Sequence, residues 1–175
     1  MMFYFTTDEL ARLLAAAEAS SPLHGLLLKT CYRHAFRISE ALTLTPKNLR
    51  SGMLTVQRGK GGKITRQKPS AELLALIAAK RPDELLFPLT SGKPESARRQ
   101  ADRIIKRLCR KAGIEQHKAH SHAIRHSLVH HATDAGISLA QLTVVLGHSD
   151  PTSIMHYTRA NEQEAGLAMV AVVGS

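Results

Sequence analysis

One change of hydrophobic period constrains this chain more than any other feature. Through most of its length, apolar residues recur at the three-to-four-residue spacing of helices. Between Met53 and Lys68 the pattern breaks. There "MLTVQR" (Met53 to Arg58) and "KITRQK" (Lys63 to Lys68) flank Gly59-Lys60-Gly61-Gly62. Two short β-capable runs about a glycine-rich turn read as a hairpin. The chain is therefore expected to be mainly α with a small antiparallel β-sheet, an α+β fold.

The flanking helices carry their own start and stop signals. Thr6 with Glu9 three residues on makes a capping-box pattern before "ELARLLAAAEAS". A second helix is expected from Pro22 to about Tyr32, and a short one from Ile38 to Leu44, closed by Pro46. Helices resume at Ser70 to Lys80, Glu95 to Ala112, Ser121 to Asp134 and Leu139 to Leu146. Gly136 and Gly147 stand where C-cap glycines belong. A last short helix should begin at Thr152 or Ser153 and carry Tyr157. The length of 175 residues suits one domain spanning 1–175.

Charge narrows the partners. Lys and Arg number 24 against 14 Asp and Glu, a formal excess of +10. Clustered cations of that excess favour a polyanion, because they displace counterions from phosphates. Charge alone does not separate DNA from RNA or an anionic membrane. Cys31 and Cys109 are too few for a disulfide framework or a zinc cluster, and a reducing cytoplasm is the default. The start "MMFYFTTDEL" has no signal-peptide pattern, and the apolar end "GLAMVAVVGS" is too short to span a bilayer.

The chemistry-bearing residues are Arg, Lys, His and Tyr, without clustered carboxylates. Guanidiniums clamp phosphate oxygens in pairs and stay charged. A phenol is a poor nucleophile at neutral pH, but packed cations favour its phenolate and also stabilise a pentacoordinate phosphorus. A lysine or histidine can then protonate the leaving alkoxide. These are the parts of covalent phosphoryl transfer through tyrosine, with cations doing the electrostatic work of a metal.

Five stretches, "FRISEAL", "RGKGGK", "HAIRHS", "LGHSD" and "IMHYTR", resemble in order the signature of the tyrosine recombinase (phage integrase) family, from about Thr6 to about Arg159. The resemblance implies that Arg37 and Arg125 are the two phosphate-binding arginines and that Glu40 holds Arg37. It implies that Lys60 is the general acid toward the 5′ oxygen, with Lys63 as the alternative lysine. His122 would manage the tyrosine proton, His148 would hydrogen-bond the phosphate, and Tyr157 would be the nucleophile of a 3′-phosphotyrosyl link. Ala35 stands where the family usually has glycine, two residues before the first arginine.

The same resemblance implies a site-specific recombinase acting on double-stranded DNA without metal or cofactor. It would form a homotetramer on paired sites and be a monomer when free, and work in the cytoplasm at the nucleoid of a prokaryotic host or be phage-encoded. Family members generally carry a separate N-terminal core-binding domain, so the chain, which is expected to hold none, is either a naturally short member or an excised catalytic domain, with the tail 166–175 either docking on a neighbouring subunit or packing on its own domain. A type IB topoisomerase-like enzyme would share the chemistry and relax supercoils. A helix-turn-helix regulator, suggested by "SLAQLTVVLGHSDPTSIMHYT", would bind DNA and form no adduct, though Ile154 and Met155 are poor base readers.

Two other patterns fail on inspection. "RGKGGKIT" departs from a Walker loop, because Lys63 is followed by Ile64. His122, His126 and His130 share a helical face, but no H-E-x-x-H or carboxylate set accompanies them. No metal site is expected, and His126, His130 and His131 are assigned to packing or to DNA.

Overall fold

The computed structural model describes residues 3–59, 62–89 and 94–147. Seven α-helices and a three-stranded sheet make up the elements there. Helix α1 (Thr7–Ser20) starts at the Thr6–Glu9 capping box and turns Leu10, Leu13 and Ala17 inward. Helix α2 (Pro22–Arg33) opens with Ser21 as N-cap and Pro22 at its first turn, and buries Leu27, Leu28 and Cys31.

Helix α3 (Ile38–Ala41) is one turn long, shorter than the sequence suggests. Leu42 and Leu44 are buried beyond it as irregular chain, so their apolar character reflects burial rather than helix.

The sheet has one strand more than the sequence predicts. After a 3-10 turn (Pro46–Asn48), β1 (Leu49–Arg50) pairs antiparallel with β2 (Met53–Gln57), and β2 pairs with β3 (Ile64–Gln67). Two residues show no periodicity, so β1 was invisible in the sequence. Its turn onto β2 is made by Ser51 and Gly52, both at positive φ, as a two-residue hairpin turn of type I′ requires.

Helices α4 (Ala71–Ala78), α5 (Pro94–Lys111), α6 (Ser121–Asp134) and α7 (Leu139–Leu146) follow, with a 3-10 turn (Gln116–Lys118) before α6. The expected last helix, with Tyr157, lies outside the described residues, as does the tail.

One apolar cluster joins α1, α2, β2, α4, α5 and α6 through residues such as Leu13, Leu28, Leu54, Leu73, Ile105 and Ile124. A smaller one unites Ala35, Val129, Leu142 and Leu146 and seats α7 on α6. Among the described residues, no helix is long and apolar enough to cross a membrane.

Helix α6 is fastened to the start of the chain. Phe5 N donates to Ser127 Oγ at 2.8 Å, His131 Nε2 lies 2.9 Å from Phe5 O, and the Tyr4 ring stacks on His130 at 3.8 Å. Tyr32 OH of α2 lies 2.9 Å from the other His131 nitrogen. The buried Lys118 ammonium donates to both Glu9 oxygens at 2.9 Å, which pins α1 against the approach to α6. His130 and His131 thus pack within the protein.

Candidate active site

Helix α2 ends in a left-handed turn. Ala35 has φ 51°, and Phe36 N reaches back to Cys31 O at 3.0 Å, the cap geometry that glycine usually serves. Glycine, which the resemblance leads one to expect at this position, would adopt the left-handed conformation without strain. The turn delivers Arg37 to the N-cap of α3, in extended backbone.

Glu40, one turn on and buried, is the hub. Its Oε2 accepts from Arg37 N at 2.8 Å. Its Oε1 accepts from Arg37 Nη1 and from Gly59 N, each at 3.0 Å. Arg58 Nε lies 3.3 Å and Arg125 Nη1 3.9 Å from Oε2. One carboxylate thus faces three guanidiniums, leaving a local excess of two positive charges for an anion to neutralise.

Arg125 projects from α6 and is nearly buried. It donates to the carbonyls of Ala35 and Leu146. Helix α6 itself has an unusual cap: His120 Nδ1 accepts from Ala123 N at 3.2 Å. His122, one residue into the helix, is exposed. Arg37, Ser39, Arg98, Ser121, His122 and Arg125 line one cleft between α3, α5 and α6.

Although His122 is exposed as a residue, partial desolvation of its ring lowers its pKa, and the nearby Arg98, Arg37 and Arg125 push the same way against Asp102. The ring is therefore neutral near pH 7 and able to take a proton. His126 is pushed down to about 4, by burial first and then by His122, His120 and His130. Among the described residues no three His, Cys, Asp or Glu side chains form a group that could hold a metal. Burial raises both thiols, Cys31 and Cys109, to about 12, so neither is a nucleophile.

Of the residues singled out in the sequence, Arg37, His122 and Arg125 line this cleft, and buried Glu40 holds Arg37 and approaches Arg125. Lys63 is exposed and sits beside the end of α7: its N donates to Gly147 O at 3.2 Å. Lys60, His148 and Tyr157 lie outside the described residues. Gly59 and Gly147, their immediate neighbours in sequence for the first two, both touch the Glu40–Arg58 network.

Two residues escaped the sequence reading. Arg98 was one of several basic residues with no assigned place, and nothing in α5 distinguishes it before folding. Arg58 carried a usable signal. Strand alternation puts it on the inward face with Leu54 and Val56, where an arginine needs a buried partner.

The phage integrase family model matches residues 4–164. A tyrosine recombinase XerD of Caulobacter vibrioides is 30% identical over 168 residues, covering 86% of this chain and 55% of the relative. A XerD of Xanthomonas campestris pv. campestris is 33% identical over 181 residues, covering 90% of this chain and again 55% of the relative. The chain thus spans little more than half the length of these curated relatives. Among solved structures, the catalytic domain of bacteriophage HP1 integrase superposes with a TM-score of 0.66 at 25% identity, covering 89% of this chain and 86% of that one.

Proposed function

The chain belongs to the phage integrase family, and from that premise we propose that it cleaves and rejoins double-stranded DNA as a site-specific recombinase. The observation that carries the reading is the shared hold on Arg37 and Arg125. Both approach Glu40, and both open on the cleft that His122 lines. Two guanidiniums aimed at one space suit the two non-bridging oxygens of a phosphodiester. Their charge is worth most as the phosphorus becomes pentacoordinate and its oxygens gain electron density.

Tyr157 attacks phosphorus, the 5′ oxygen leaves, and a 3′-phosphotyrosyl bond replaces the phosphodiester. Neutral His122 accepts the phenol proton, and Lys60 gives a proton to the leaving oxygen. His148 hydrogen-bonds the phosphate. The covalent link keeps the energy of the broken bond, so rejoining requires no nucleotide. Exchange between two sites calls for a homotetramer, with the tail 166–175 available to bridge neighbours.

A nicked suicide duplex tests the reading, because loss of the short 5′ fragment traps the adduct. A denaturing gel should show a slow covalent band, absent in Tyr157→Phe. Duplex binding without a band in the wild type would instead favour a regulator, and relaxation of a plasmid without paired sites would favour a topoisomerase.

A further inference from the structure

We propose that Arg58 is a positioning residue: it never meets substrate, and it holds Arg37 and Arg125 as a pair aimed at one anion. The proposal rests on the recombinase reading for its catalytic consequence, although the pairing itself is a property of this fold.

The contacts of Arg58 are concentrated on the turn before Arg37. Its side chain has no exposed surface. Nη1 donates to His34 O at 3.1 Å and Nη2 donates to Ala35 O. The guanidinium lies 4.7 Å from the centre of the Phe36 ring. Three consecutive residues, ending one short of Arg37, are therefore gripped by one planar group. A rigid fork with five donors can do this, and a lysine cannot.

The grip extends to the rest of the site. Glu40, which orients the Arg37 guanidinium, lies 3.3 Å from Arg58 Nε. Ala35 O, held by Arg58, also accepts from Arg125. Gly147 packs directly on the Arg58 stem: a Cβ there would fall 2.4 Å from Arg58 Cγ and 2.8 Å from Thr65 Cγ2. Gly147 also has φ 62°, so its side-chain-free, left-handed backbone is needed twice over. Arg58 N donates to Lys63 O, and Lys63 N donates to Gly147 O. Arg58 thus grips the turn before Arg37 with its guanidinium, shares Ala35 O with Arg125, and supports Gly147 at the end of α7 with its aliphatic stem.

Burial pulls the Arg58 pKa down to about 10, against the pull of Glu40, so the group keeps its charge at neutral pH. A charge removed this far from water is costly unless it is well paired. Two carbonyls and a ring face hold the guanidinium end, while Nε is buried without a hydrogen bond and faces Glu40 Oε2 at 3.3 Å as an ion pair. A core that required only volume would be served by methionine.

The test uses the full chain with Arg58→Lys, which keeps charge and loses the fork, and Arg58→Met, which keeps volume and loses charge. Circular dichroism and urea unfolding establish the fold. Inorganic sulfate is titrated while the His122 ring resonances are followed. Adduct formation is timed on suicide duplexes carrying either a phosphate or a methylphosphonate at the scissile position.

Both variants should fold with lowered stability and bind sulfate about tenfold more weakly, while duplex affinity moves by no more than about twofold. Adduct formation should fall about a hundredfold on phosphate and much less on methylphosphonate, where one oxygen is uncharged and the arginine pair matters less. Unchanged sulfate binding, a wild type that gives no sulfate response, or equal losses on the two linkages would overturn the proposal. Loss of the fold in both variants would assign Arg58 to stability alone and overturn it as well. If the wild type forms no adduct yet sulfate binding still weakens in Arg58→Lys, the recombinase reading fails and the positioning role stands.

Discussion

Arg58 and Arg125 reach the carbonyl oxygen of Ala35 from different elements, the end of β2 and the middle of α6. Ala35 ends helix α2 and lies two residues before Arg37. A single peptide oxygen therefore joins the hairpin, the H-x-x-R helix and the first arginine.

The two phosphate-facing arginines should respond differently to truncation. Arg37 is 37% exposed at its side chain and Arg125 only 8%. Arg37→Ala should leave the urea midpoint near the wild type and cut adduct formation by about a thousandfold. Arg125→Ala should lose cleavage too, and in addition about 2–4 kcal/mol of stability, because Ala35 O and Leu146 O lose a charged donor and Glu40 loses a neighbouring cation. Equal stability of the two variants would contradict this division.

At Ala35 two effects of similar size oppose each other. The left-handed conformation costs alanine about 1 kcal/mol, and its buried methyl contributes about 0.8 kcal/mol. Ala35→Gly should therefore unfold within about 1 kcal/mol of the wild type. Ala35→Val adds a β-branch to a positive φ and to a packed cluster with Val129 and Leu146, and should lose about 2 kcal/mol or more. Chemical denaturation of the pair decides it, and a stable valine variant would refute the strained geometry.

Acid should weaken the anchor between α1 and the approach to α6. Burial works to raise the Glu9 pKa, but Lys118 and the Thr6 cap outweigh it and hold the carboxyl below its ordinary 4.5. A depressed carboxyl stabilises the fold above its unfolded pKa. That contribution is lost as pH falls from about 4.5 through the folded value, because the unfolded chain then binds the extra proton. Urea unfolding between pH 6 and pH 3 should show this slope. Lys118→Met should flatten it and cost about 2 kcal/mol at neutral pH. A slope that survives the substitution would place its origin elsewhere.

Arg98 should tune His122. It is the first cation after burial in lowering the His122 pKa, with Asp102 opposing. Arg98→Gln removes a like charge, so the pKa should rise toward 6.5 in an NMR titration. The acid limb of adduct formation should move to higher pH with it, whatever happens to the maximal rate. A stationary ring pKa would exclude Arg98 from the field at this site.

Much of the architecture was legible residue by residue. The Thr6–Glu9 box, the helix expected from Pro22, the glycine-rich turn after β2 and the helix expected from Ser121 to Asp134 each mark an element where the structure has one. The order of motifs identified the family, and Arg37, His122 and Arg125 line one cleft with Glu40 buried against the two arginines. Strand β1 was too short to leave a period, and α3 was overestimated because Leu42 and Leu44 are buried in irregular chain.

The sequence by itself determined the starts of the described helices to within a residue, the hairpin, the cationic excess and the family, because capping, turn chemistry and periodicity act over a few residues. Only the tertiary structure decided that Arg58 is a buried fork, that Arg98 shares the cleft with His122, and that Ala35 O serves two arginines. These depend on a strand, a turn and two helices meeting in space. An arginine reads the same in a sequence whether it faces water, a phosphate or a carbonyl, and only its neighbours decide which.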